Sequence, residues 1–139
     1  MANASSPSSV RSMRETILAF IDRINAHDPE GLGALMSDDH TFIDAHGNQV
    51  TGRDKMIPGW RGYFVWFPDY LIEITDVFED GCQLALFGFA GGSFQGKPTE
   101  SWRLPAAWKA EVKDGRVTLW QVFADTKIPF EIIERNQKS

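Results

Sequence analysis

The sequence predicts an α+β domain in which the helices come first and hairpin-linked strands follow. Three observations carry this. Apolar residues recur at helical spacing as far as about residue 67, the period then switches to two, and tight-turn signals separate the alternating segments. That order places helices against one side of an antiparallel sheet. With 139 residues the chain can build one domain around one core. We expect that domain over 11–135, with a small, polar, disordered tail over 1–10 and a short tail over 136–139.

Ser12 and Glu15 have capping-box spacing, and Met13, Ile17, Phe20, Ile21 and Ile24 follow on one stripe, so a first helix should end near Ala26. Asp28 before Pro29 reads as an N-cap with proline at the first position of a short second helix. Leu32, Leu35 and Met36 point inward from it, and it should stop at 37–39. The stretch 41–47, TFIDAHG, then alternates as a short strand: Phe42, Asp44 and His46 share one face, Ile43 and Ala45 the other. An acid beside a large aromatic on an inward face is costly unless something uses or pairs it. Gly47 and Asn48 form the turn. Gly52, Arg53 and Asp54 open a third helix with Ile57, Trp60, Phe64 and Phe67 on one stripe. Pro58 is expected in its first turn, and Pro68-Asp69 ends it. Strands are expected over 71–79, 82–90, 99–112 (bulged at Pro105) and 116–124, with Lys113-Asp114-Gly115 as a hairpin turn and a short tail element over 128–135.

A net charge of −5 without a long basic run argues against nucleic-acid binding. No apolar run is long enough to cross a bilayer, and MANASSPSSV lacks the apolar centre of a secretory signal. Cys82 is the only cysteine, so no internal disulfide can form and a reducing, cytoplasmic setting is expected. It follows an Asp80-Gly81 turn and reads as a packed structural thiol. The three histidines lack ligand spacing, so no metal site is expected. Five Trp and ten Phe exceed what a core of this size needs, which suggests an apolar pocket, an interface, or both.

Several motifs stand in a telling order: Asn25-Ala26-His27-Asp28, Ser37-Asp38-Asp39-His40, Gly52-Arg53-Asp54, Phe67-Pro68-Asp69, Gly92-Ser93-Phe94-Gln95-Gly96, Asp114-Gly115-Arg116-Val117, and WQVFAD over 120–125. Together, over roughly 13–133, they resemble the nuclear-transport-factor-2-like superfamily, and within it the SnoaL-like polyketide cyclase group. The resemblance implies a curved antiparallel sheet that three N-terminal helices complete into a cone-shaped α+β barrel around an apolar pocket. It also implies a homodimer and side-chain chemistry without a cofactor.

Ketosteroid isomerase shares the implied fold, and the resemblance places its general-base Asp on Asp44. Its oxyanion-hole donors fall on Phe20 and Ala107, which carry no donor, so steroid isomerisation is not expected. The stretch 103–120 resembles limonene epoxide hydrolase, yet 84–89 carries no charge and the last-strand acid falls on Val122. For SnoaL-like cyclisation the resemblance implies an acid–base pair, which Asp44 and His46 could supply, with Asp125 as a second candidate acid at the rim. Phe94 stands where the group often has histidine. Against these, Asp44 could be a structural acid paired with Arg53, Lys55 or helix amides, His46 an exposed turn residue, and Asp125 a strand-end anchor. Phe20, Trp60, Tyr63, Phe64, Ala107, Trp120 and Val122 are the substrate-binding candidates, although core packing explains the aromatic ones equally well.

Trp102, Leu104, Ala106 and Trp108 alternate on one face of the long strand, with Arg103, Pro105, Ala107 and Lys109 on the other. If Ala107 faces the pocket, as the resemblance implies, the tryptophan face lies outside and reads as the homodimer interface. The functional expectation is a binder of a small apolar molecule, with acid–base isomerase or cyclase chemistry on a hydrophobic carbonyl compound at Asp44. The competing expectation is a non-catalytic binding or dimerisation module.

Overall fold

A computed structural model describes residues 12–137. The chain runs α1 (Met13–Asn25), α2 (Pro29–Leu35), β1 (Met36–Ile43), β2 (Gln49–Thr51), α3 (Arg53–Trp66), β3 (Leu71–Asp80), β4 (Gln83–Ser93), two single 3₁₀ turns, β5 (Ser101–Lys113), β6 (Arg116–Ala124) and α4 (Lys127–Gln137). The expected tail over 1–10 lies outside the described residues, and 136–137 belong to α4 rather than to a tail.

The six strands form one curved sheet in the order β2-β1-β6-β5-β4-β3. All neighbours are antiparallel except β1 and β6, which run parallel. The sheet is therefore mixed, and β2 and β3 remain as edges, so it is an open cone and not a closed barrel. α1 and α3 cover its concave face. Ile17, Phe20 and Ile24 of α1 are fully buried against Trp108, Trp120 and Leu86 of the strands, in one continuous apolar core. Removing one such aromatic side chain typically costs about 3–5 kcal/mol.

Local chemistry explains most element ends. The capping box at Ser12 and Glu15 has both arms, 3.1 Å and 2.9 Å. Asp28 caps α2 by accepting the Gly31 amide at 3.0 Å. Asp114 and Gly115 both take positive φ, the requirement of the tight β5–β6 turn. Pro58 lies inside α3 rather than in its first turn. At Pro105 the β4–β5 ladder is continuous; the proline precedes the first β5–β6 pair, Ala106 with Ala124, so no β6 partner is asked of its missing N–H. The irregularity falls instead between Glu111 and Val112. Gly91 and Gly92 continue β4 instead of ending it.

β1 differs most from expectation. It begins at Met36 and ends at Ile43, so Asp44 and His46 stand in the following turn and the alternation read over 41–47 stops early. The reason is long-range. Residues 36–43 pair with β6, and the buried His40 Nδ1 binds the Val117 carbonyl at 2.7 Å across 77 positions.

Three ties hold the α1–α2 turn and the end of α3 against the sheet. Asn25 accepts the Ile72 amide at 2.9 Å and donates to its carbonyl at 3.0 Å, as a neighbouring strand would. His27, at φ 55°, places Nε2 2.8 Å from the Tyr70 carbonyl. Asp69 accepts the Ser93 amide at 2.8 Å and the Ser93 hydroxyl. Between them these contacts fix Tyr70 at the head of β3.

Candidate functional site

Helices and concave sheet together enclose a cavity of about 810 Å³, within the range of small-molecule sites. α3 contributes Met56, Trp60 and Tyr63 to its wall, and its C-cap Phe67 adds a fourth side chain. The sheet contributes Trp102, Leu104 and Ala106 from β5, with Trp120 and Val122 from β6. These side chains pack as an aromatic chain: Trp60 meets Phe42 and Tyr63 edge-on at 6.1 Å each, and Phe67 meets Trp102 at 5.5 Å.

At the mouth stand the β1–β2 turn and α4. His46 Nε2 lies 2.9 Å from the Thr126 hydroxyl, and its ring meets the edge of Phe130 at 4.7 Å. At the far end of α4, Arg135 and Asn136 both reach the Glu100 carboxylate. The final helix is thus strapped over the opening at both ends, a role the expectation of a short tail element did not include.

Asp44 borders the cavity, but its carboxylate is occupied. Oδ1 accepts the backbone amides of His46 (2.9 Å) and Asn48 (3.0 Å), and Oδ2 accepts the Asn48 side-chain amide at 3.1 Å. Partial burial pushes its pKa up, and these hydrogen bonds, aided by the nearby imidazole, outweigh that and hold it below the ordinary value. Arg53 is paired with Asp38 at 2.7 Å, so the partners of Asp44 come from its own turn.

The other candidates separate into two groups. Trp60, Tyr63, Trp120 and Val122 reach the cavity. Phe20 and Phe64 do not line it: Phe20 is fully buried behind Trp120 at 5.1 Å, and Phe64 stacks on Trp60 at 5.5 Å. Asp125 is exposed and accepts the Lys127 amide at 3.1 Å, which caps the start of α4; it is not a cavity acid. Ala107 is a correction of face. The register sets it opposite Phe87 and Phe123 on the convex side, and Trp102, Leu104 and Trp108 point inward. Trp108 is buried and stacked on Trp120 at 6.2 Å, so the tryptophan row forms core and cavity wall and cannot be an interface. The alternation along β5 is as expected; its sign is reversed, because strand periodicity alone does not say which face is wet.

Tyr70 escaped the sequence reading. The chain has two tyrosines, and both line the cavity. The available signal was its place just after Phe67-Pro68-Asp69, where the period changes. Among the described residues no cluster of three His, Cys, Asp or Glu side chains could hold a metal, and no helix is long and apolar enough to cross a membrane.

Residues 17–120 match the SnoaL-like domain family. The chain belongs to that family. No curated protein matches this SnoaL-like chain. Solved structures share its fold. A protein of ketosteroid isomerase-like fold from Catenulispora acidiphila, crystallised with trimethylamine, is 25% identical with a TM-score of 0.71, over 82% of this chain and 88% of that one. A candidate SnoaL-like polyketide cyclase from Jannaschia is 19% identical with a TM-score of 0.75, over 95% and 97% of the two chains. An LEH-like epoxide hydrolase of M. tuberculosis is 18% identical with a TM-score of 0.74, over 90% and 86%. The SnoaL-like domain here differs from the notion of a polar active site: its carboxylates lie at the mouth, and its interior is aromatic.

Proposed function

We propose that this SnoaL-like domain binds a small, mostly apolar molecule in its aromatic cavity. The observation that carries the reading is a cavity of about 810 Å³ whose deep wall is built from Trp60, Phe67, Trp102 and Trp120. Such a wall favours apolar surface, and a few polar groups suffice to orient the guest. In the catalytic form of this reading, Asp44 removes a proton from a carbon beside a carbonyl at the mouth, and His46 is the second member of the pair. The non-catalytic form is favoured by one observation: both Asp44 oxygens already accept hydrogen bonds, and a carboxylate held below its ordinary pKa is a weaker base.

A thermal-shift screen with hydrophobic carbonyl compounds, run on the unaltered protein and on Asp44→Asn, tests both. Binding predicts hits that raise the melting temperature of the two proteins alike. Hits converted to product by the unaltered protein and left intact by Asp44→Asn would establish the catalytic form. A screen without any stabilising apolar compound would end the binding reading.

For quaternary structure, we propose a homodimer through the convex sheet face, where Phe78, Phe87 and Phe123 are exposed. They border a groove of about 430 Å³ containing Ala85 and Ala107, which an aromatic ridge of a second copy can fill.

A further inference from the structure

The cavity contains a polar pair that packs with the core and that the acid–base reading does not use. Tyr63 and Tyr70 both line the cavity and stand edge to face, ring centroids 5.0 Å apart at 90°. Two hydroxyls hold two protons, and a bond between them would use only one. The Tyr70 carbonyl is already taken by His27 at 2.8 Å. The neighbouring indoles add donors only: the Nε1–H groups of Trp60 and Trp102 are buried without a partner, and their rings lie 6.1 Å from Tyr63 and 6.0 Å from Tyr70. The two phenols thus bring O–H donors to this end of the cavity with no neighbouring side-chain acceptor among the described residues, and the buried indole N–H groups supply none. A buried donor without an acceptor is costly, and a guest that brings an acceptor relieves it.

We propose that the Tyr63–Tyr70 pair is the recognition point for an acceptor oxygen on the apolar guest, so that the cavity selects ketone-type compounds over hydrocarbons of the same shape. This inference rests on the binding reading above and adds the chemical class. Desolvation raises both phenols above their ordinary pKa, so they remain neutral donors across the physiological range and cannot act as bases. The acceptor end of the guest would then lie against the Tyr pair, with its remainder directed toward Asp44 and His46.

The test compares 1-tetralone with tetralin, which share a bicyclic frame and differ by one carbonyl oxygen, by calorimetric titration of the full chain. The unaltered protein should prefer the ketone by about two- to tenfold, the range of one neutral hydrogen bond. The double variant Tyr63→Phe/Tyr70→Phe should bring that ratio, taken within the variant itself, to one; its binding of tetralin reports that the variant is folded. Tyr63→Phe and Tyr70→Phe, each alone, should keep a preference no larger than that of the unaltered protein. Equal affinity for the two compounds in the unaltered protein, or a preference that survives in the double variant, overturns the inference and leaves the binding reading standing. Binding of neither compound overturns both.

Discussion

Asp44 borders the cavity and also closes a turn. Its oxygens close the β1–β2 turn through His46 and Asn48. Asp44→Ala should lower stability by about 1–2 kcal/mol, read as a lower urea midpoint with an unchanged slope. His40 makes a different prediction. It is fully buried, and desolvation lowers its pKa despite the opposing effects of the Val117 carbonyl and Asp39. The unfolded chain therefore takes up a proton near the ordinary value of 6.5 while the folded chain resists it. Stability should be full above about pH 6.5 and decline as pH falls below it. Asp44 and Asp69, both held below 3.8, add a second loss as pH falls below that value. Melting temperatures measured from pH 3 to pH 8 should show the two phases. In His40→Asn the decline between pH 7 and pH 5 should flatten, whatever the absolute stability of the variant.

Among the elements, those with local signals were legible. The capping box, the Asp28-Pro29 start, the Asp114-Gly115 turn and the two-residue period place α1, α2, β6 and the β3–β4 hairpin within a few residues of their positions. The failures share a cause. The early start of β1 depends on a parallel partner near the other end of the chain, and the inward sign of Trp102, Leu104 and Trp108 depends on where the helices dock. Neither is encoded in a short window. The motifs that carried the family resemblance prove to be joints of the fold: Asn25 and His27 tie α1 to β3, and Asp69 ties the end of α3 to β4. This explains why they report architecture well. Asp69→Ala, which leaves the Ser93 amide and hydroxyl without their acceptor, should cost about 1–3 kcal/mol in chemical denaturation. The strap at the cavity mouth is testable separately. Glu100→Ala removes the anchor of Arg135 and Asn136 and should speed amide hydrogen exchange in α4 with little change in β4 or β5.

The whole molecule presents two faces of opposite character. The concave side buries its aromatics around the cavity, and the convex side leaves Phe78, Phe87 and Phe123 in contact with solvent. A patch of this kind on a lone domain invites association. Phe87→Glu combined with Phe123→Glu should convert a dimer to a monomer in sedimentation velocity while cavity binding persists. A single species of monomer mass in the unaltered protein at tens of micromolar would remove the dimer proposal.

The parallel β1–β6 seam also bears on how the molecule is made. Arg116 reaches the Ala34 carbonyl at 2.8 Å across 82 positions, close to the His40–Val117 contact already described. During synthesis β1 leaves the ribosome long before its neighbour exists, and closing so distant a pairing is intrinsically slow. Until β6 emerges, the nascent chain must carry β1 with one edge unpaired and Phe20 without the Trp120 wall behind it. The final strand is therefore the step that seals both sheet and cavity, and stalling translation before residue 116 should leave a protease-sensitive chain even though three helices and five strands have already been translated.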